Sequence, residues 1–482
     1  MPKKLVLNES ALAGLGPEKL SRLIIDEAER NPAFRRLVSA ALAATHGPKA
    51  VATIIDKRLA GLARAKNFVD WEKAKALTAD IAATSKIILD ELAPADPDAA
   101  FDRLLRLLAG SDRVFERVDD SSGRLAEIYR AAAAGLPDLA ARLDAKAKSA
   151  LPSLLSECIL ADDYGLIGDQ LPRIFAHLPD QAIEDFDTSF AKATPANGPL
   201  NNDQSSDWRR QARLRQIIHL RQAIADHRGD VDAFIALERA LPEATRDAMA
   251  VARRLAAAGR HAEALHWVRK PAKAGLKYLR SDDLADGTPI GDFAEGARTR
   301  LEIQILEEMG DRQAAQDLRW ATFAAELDVE LLRDYIDRLP DFEEFDALDR
   351  AFALASGSAQ KYRALRFFLV WPRLDLAAKL VLDRRGAWEG RHYDALLPAA
   401  EALEADHPGA ATLLLRALLD DILDRGRSPA YGHAARYLAK LDALAAQTDH
   451  VAAEEPHEAY RNRLVKKHGR KSGFWALVKP QI

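Results

Sequence analysis

The sequence predicts an all-α chain, a helical-repeat solenoid of antiparallel helix pairs, and three observations predict it. Between Asp247 and Trp267, the residues Val251, Leu255 and Ala258 fall three and four apart, which places them on one helical face. Gly259 ends that helix, and Ala264, Leu265 and Val268 line a second one. The same signal returns further on, where Ile303 and Leu306 precede Met309 and Gly310 and Ala315 stands five residues after the glycine, as Ala264 does after Gly259. Finally, alanine and leucine dominate, aromatic residues make up only 7%, and no convincing strand pattern occurs, so intrinsic propensity favours helices throughout.

The Gly259 unit resembles a tetratricopeptide repeat, in which a small residue lets two helix backbones approach closely. Such repeats run about 34 residues, whereas Gly259 and Gly310 lie further apart, with an insertion from Gly275 to Gly296 between them. The tetratricopeptide-like repeat is therefore degenerate. One helix pair cannot bury its own apolar face, so neighbours must stack, and stacking produces an extended surface.

The earlier helices follow the same grammar. Leu20, Leu23 and Ile24 line a first helix and Phe34, Leu37, Val38 and Ala41 a second, each opened by a proline, Pro17 or Pro32, suited to the first turn. A third helix starts after Gly47-Pro48, a long one runs from about Asp70 to Leu92, and Pro94 to Pro97 force a break. Shorter helices follow: Phe101–Leu108, Val114–Val118 and Leu125–Ala134, with the pattern resuming after Pro152. Residues 1–193 read as one N-terminal all-helical domain. The Pro-, Gly-, Asn- and Ser-rich stretch 194–207 reads as a linker or long loop. Residues 208–456 read as C-terminal tetratricopeptide-like repeats, and 457–482 as a basic, aromatic tail or capping helix.

With 482 residues and 48% hydrophobic composition, the chain can bury a sizeable core. A net charge of -4 gives no global field that draws the molecule to nucleic acid or anionic lipid. Cys158, the single cysteine, excludes an intramolecular disulfide and fits a reducing cytoplasm; beside Leu154, Leu155 and Ile159 it reads as a small buried apolar side chain. The N-terminal apolar run is too short for a signal peptide, and no stretch approaches the ~20 apolar residues of a membrane span. A cytoplasmic protein without membrane contact is expected.

Three places carry candidate chemistry. In the tail, Arg461, Arg463, Lys466, Lys467, Arg470, Lys471 and Lys479 occur with no acidic residue after Glu458, interleaved with Tyr460, Phe474 and Trp475. That pattern fits nucleic-acid binding; it fits better a terminal cap in which Tyr460, Leu464, Phe474 and Trp475 are buried and the lysines solvated. The loop Asp119-Asp120-Ser121-Ser122-Gly123 offers paired carboxylates for a cation or for acid-base work, but capping of the next helix by Ser121 or Ser122 is the favoured reading. Arg319 and Trp320, followed by Phe323, could build an aromatic peptide groove, although aromatics at helical spacing are more often core, and Trp71, Trp208 and Trp267 are read as core too. No histidine pair has zinc-binding spacing, and no phosphate-binding glycine loop or nucleophile elbow occurs, so no metal and no cofactor are expected.

Phe68-Val69-Asp70-Trp71 with Lys73 and Leu77, Val114-Phe115-Glu116-Arg117 running into the Asp119 loop, and the tail spacing His457, Tyr460, Leu464, His468, Arg470-Lys471, Phe474-Trp475 carry a family likeness. Over most of its length the chain resembles a proteobacterial family of helical-repeat proteins of unknown function. The second half, in Leu318-Arg319-Trp320, Phe323, Ala434, Tyr437 and Leu441, resembles the helical region of bacterial SWIM zinc-finger proteins. Those carry a CxC and CxH zinc cluster, which one cysteine cannot supply, so zinc binding is not implied. The function expected is a non-enzymatic interaction scaffold that binds a protein or peptide on a helical-repeat surface. The alternatives are nucleic-acid binding through the tail and an enzyme or cation site at Asp119-Asp120.

Overall fold

A computed structural model describes residues 8–162, 164–194, 208–270, 277–278, 285–287, 291–445 and 455–478. The chain is an all-α helical repeat, divided by its packing into two units, Met1–Asp247 and Ala248–Ile482. In each unit most helices pack on their near neighbours in sequence, the quasi-one-dimensional packing of a repeat protein.

In the first unit the helices Pro17–Arg30, Pro32–Ala44 and Pro48–Arg64 each begin on a proline, where the missing N–H is one that a helix start leaves unpaired anyway. Asn31 serves two of them: its backbone N–H donates to Glu27 O at the end of one helix and its side chain accepts from Phe34 N–H at the start of the next. Next comes Trp71–Lys86, continued by a π-helical segment, Ile87–Leu92. Pro97–Ala109, Arg124–Ala133, Ala145–Leu160 and Asp180–Ala193 follow, and their apolar faces merge into one core with Val51, Ile55, Ile81, Leu104, Tyr129, Leu155 and Phe186 inside.

Sequence and structure differ at several points. Leu23 and Ile24 are exposed rather than lining an interface, and Trp71, expected in the core, is 68% exposed because it stands at the first turn of its helix with no neighbouring element over it. Trp267 is buried as expected; nothing of the Trp208 side chain falls within the described residues. Pro152 does not interrupt the pattern but lies inside the Ala145–Leu160 helix. The stretch 195–207 lies outside the described residues. Helix Trp208–Arg228, expected to open the C-terminal repeats, packs on the helices Leu171–Phe175 and Asp180–Ala193, so the contact boundary falls at Asp247 instead.

In the second unit, Ala248–Ala257 and His261–Val268 form the hairpin read from the sequence, and Phe293–Glu308 with Arg312–Glu326 form the next. Gly259 and Gly310 occupy the left-handed region, with φ of 74° and 81°. In both turns the residue after the glycine donates to a carbonyl five residues back, Arg260 to Leu255 at 2.8 Å and Asp311 to Leu306 at 2.9 Å, closing the helix end in a Schellman motif. The same bond recurs from Asp230 to Ala225 and from Arg427 to Ile422. A two-residue antiparallel pairing, Lys277–Tyr278 with Gly291–Asp292, lies within the Gly275–Gly296 insertion. The core runs through Leu306, Phe323, Phe367, Leu396, Leu415, Leu438 and Phe474.

A Cβ at Gly259 forces a left-handed L-residue, so Gly259→Ala lowers stability by about 1–2 kcal/mol. Gly296, inside a helix with open space around it, behaves oppositely, and Gly296→Ala raises stability by roughly 0.5–1 kcal/mol. Urea unfolding of the two variants measures both; equal effects contradict the turn assignment.

A candidate interaction edge in the first unit

Two stretches that stand out in the sequence meet in space. Val69 N–H donates to Arg117 O at 2.8 Å and Asp119 N–H to Val69 O at 3.0 Å, an isolated parallel bridge that sets Phe68–Trp71 beside Arg117–Asp120. Each strand of the bridge runs into a helix, Trp71–Lys86 on one side and Arg124–Ala133 on the other, and the two helices pack together. Both starts are capped by aspartate. Asp70 accepts from Lys73 N–H at 2.9 Å, while Asp120 reaches over Gly123 and accepts from Leu125 N–H and Ala126 N–H, both at 3.0 Å.

The capping reading of this loop therefore holds: Ser122 Oγ accepts from Arg124 N–H at 3.4 Å, and Asp120, which was not expected to, takes the next two N–H groups. Asp119 accepts from Ser121 N–H at 3.1 Å, and Ser121 and Ser122 are exposed. With Asp120 committed to helix-end N–H groups and Asp119 turned onto its own loop, the pair does not present a cluster of free carboxylate oxygens. Around this polar core Phe68 and Trp71 are each 68% exposed, two large aromatics within one short segment.

Behind the bridge lies a charge cluster that sequence reading missed. Asp80, buried on the Trp71–Lys86 helix, pairs with Arg36 from Pro32–Ala44 and Arg58 from Pro48–Arg64, so one carboxylate joins three helices. Burial, then the neighbouring Arg36 and Arg117, push the Arg58 guanidinium down to about 10. Tyr129 is fully buried, its hydroxyl has no hydrogen-bond partner among the described residues, and Arg58 and Arg117 both act on it electrostatically. The available signal was Asp80 itself, a charge standing between Leu77 and Ile81 on an otherwise apolar face.

Most of the remaining candidates hold the fold. Arg319 is only 2% exposed, donating to Gln316 at 3.1 Å and to Glu307 at 2.6 Å, so it is corrected from interaction residue to buried brace. Trp320 packs on Phe323 and Tyr335 with the Arg350 guanidinium 3.5 Å from its ring centroid, which covers the face a peptide would need. In the tail, the His457–His468 helix buries Tyr460, Leu464 and His468, and the short helix Ser472–Trp475 buries Phe474. Trp475 donates to His468 O at 2.9 Å. Arg463 pairs with Asp420 and Glu455, Lys467 with Asp424, and Arg461 with Asp442, so several of the tail's cations are neutralised by the helices they dock on. Arg470 stays exposed and Lys471 half-buried. The half-buried Cys158 thiol is pushed up by burial, then by Glu157 and Asp162, opposite to an activated nucleophile. Among the described residues no group of three or more His, Cys, Asp or Glu could hold a metal, and no helix is long and apolar enough to cross a membrane.

Two outcomes follow. Asp120→Ala removes a helix cap and costs about 1 kcal/mol in denaturant unfolding, while Ser121→Ala is neutral within experimental error; the reverse order disproves the cap assignment. His468, buried beside Asp424, has its pKa held below the usual 6.5 by burial. A depressed folded pKa means that the stability is fully present above 6.5 and is lost as pH falls below it. Denaturant midpoints measured from about pH 7.5 down to about pH 5.5 therefore decline, and His468→Asn makes the decline shallower.

Comparison with known proteins adds family and little else. A circular tandem repeat protein with novel repeat topology and enhanced subunit contact surfaces is similar at 15% identity over 92% of each chain, with a TM-score of 0.13, too low to carry an argument. No curated protein matches the chain. The model of a family of unknown function, DUF6880, matches residues 2–477, and the chain belongs to that family.

Proposed function

We propose that the protein is a non-enzymatic interaction scaffold that binds a protein or peptide partner along the Phe68–Trp71 edge of its first unit. The observation that carries this reading is the exposure of Phe68 and Trp71 on a backbone fixed by the Val69–Val118 bridge and by the Asp70 and Asp120 caps. Aromatic side chains on a rigid, polar-rimmed support lose little entropy on binding and contribute large contact area. A helical-repeat fold, here read as tetratricopeptide-like, is compatible with that role. The SWIM-like helical pattern of the second half enters the proposal as framework alone, and the single cysteine supports placing the protein in the cytoplasm.

Nucleic-acid binding through the tail is the weaker reading, because Asp420, Asp424 and Asp442 already engage Arg463, Lys467 and Arg461. Chemistry at Asp119-Asp120 is weaker still, given the backbone N–H groups those carboxylates accept.

Phe68→Ala combined with Trp71→Ala changes stability by at most roughly 0.5 kcal/mol, since both side chains are exposed. The same pair abolishes recovery of any stoichiometric partner that co-purifies with the wild-type protein from its native cell. Undiminished recovery with the double variant rules this edge out.

A further inference from the structure

We infer that the first unit contains a binding site for a phosphate-type dianion, formed by Arg36, Arg58 and Arg117 around the hydroxyl of Tyr129. The inference stands independently of the partner reading above. It begins with charge: Arg36 and Arg58 share the single carboxylate of Asp80, and Arg117 acts electrostatically on Arg58 and on the Tyr129 hydroxyl, so three guanidinium groups are set against that one carboxylate, a net charge of +2. Asp80 accounts for Arg36 and Arg58 by joining three helices, but it leaves Arg117 and Tyr129 unexplained. Arg117 forms no ion pair among the described residues, and Arg117 Nε, Arg58 Nε and the fully buried Tyr129 hydroxyl have no hydrogen-bond partner there. Buried donors are almost always satisfied, and a surplus of donors with a surplus of positive charge specifies an acceptor that is itself anionic.

The type of anion follows from the same groups. Guanidinium forks match the tetrahedral oxygens of a phosphate in paired, charge-assisted hydrogen bonds. A dianion brings the cluster to neutrality, whereas a single carboxylate leaves one charge uncompensated and a metal cation is repelled. Burial lowers the Arg58 pKa first and crowding by Arg36 and Arg117 lowers it further, and an anion between them relieves the crowding. Access is open, since Arg36 and Arg58 keep 35% and 24% of their side-chain surface exposed. Tyr129 also forms part of the wall of a cavity of about 340 Å³ lined by Leu59, Leu62, Arg113 and Val114. Because Arg117 O is the acceptor of the Val69 bridge, an occupant bound to Arg117 would also steady that bridge.

The test uses the full-length protein and titration calorimetry with inorganic phosphate, and separately with phenyl phosphate, at constant ionic strength maintained by sodium chloride. Saturable binding of either is expected, with tighter binding of inorganic phosphate assigning a free ion and tighter binding of phenyl phosphate assigning a phosphate monoester. Arg117→Gln is expected to weaken the affinity about tenfold or more, the loss of a charged hydrogen-bonding group. Tyr129→Phe, which keeps the ring and removes only the hydroxyl, is expected to weaken it several-fold with an unchanged circular-dichroism spectrum, so a folding defect cannot imitate the result. Absence of saturable binding, binding that sodium chloride matches, or equal affinity in both variants overturns the site.

Discussion

A chain built of short helices has many helix ends, and satisfying those ends is the constraint on which the rest of this structure depends. Every helix leaves its first N–H groups without an internal partner, and here carboxylates and amides supply the acceptors. Asn31, Asp70, Asp96, Asp144, Asp230, Asp311 and Asp328 each accept from a backbone N–H in the first turn of the helix that follows. Asp286 does this at a distance, accepting from Tyr362 N–H and Arg363 N–H at the start of Lys361–Val370. These aspartates are therefore architectural. The consequence for function is direct, because a carboxylate already holding one or two N–H groups offers few lone pairs to a metal or a reacting proton.

The helices, the Gly259 and Gly310 turns and the terminal cap were legible in the sequence because each is written locally. Period, turn glycine and capping residue lie within a few positions of one another, and a window of the sequence contains the whole signal. Exposure was not legible at Trp71 or at Leu23 and Ile24, since whether an apolar face is covered depends on elements far away in the chain. The same holds for Arg319. Its spacing before Trp320 resembles a surface groove, yet Glu307 from the preceding helix draws the guanidinium inward, and nothing in the local pattern records that partner. The loop at Asp119 lies between these cases: capping by Ser122 was readable, but the larger share, held by Asp120 from five and six residues before Leu125 and Ala126, was not. The family likeness pointed to stretches far apart in sequence, and only the bridge between Val69 and Val118 explains why two of them belong together.

Charge is handled in opposite ways in the two units. At the tail, cations and anions alternate across the contact, and the Arg416 guanidinium rests 4.5 Å from the Tyr460 ring centroid while Tyr460 donates to Asp420 at 3.0 Å. Arg463, Lys467 and Arg461 there each meet a carboxylate, although Arg416 Nε has no hydrogen-bond partner among the described residues. In the cluster around Asp80 the cations exceed the anions and a buried hydroxyl is left over. A purely structural ion pair gains nothing from that excess, since desolvating an extra guanidinium costs more than an apolar side chain of the same volume.

That difference supports the proposal of an interaction site in the first unit. The basic tail, the most conspicuous feature of the composition, is spent on closing the C-terminal core, and the Trp320 cluster is spent on packing. Exposed aromatics and unpartnered buried Nε atoms occur in the second unit too, at Phe342, Phe345 and Arg416, but around the Val69–Val118 bridge the backbone that carries Phe68 and Trp71 is fixed by two hydrogen bonds and two capped helices. The two features flank one rigid segment, so whatever binds at either side bears on the same few residues, Phe68 to Trp71 and Arg117 to Asp120.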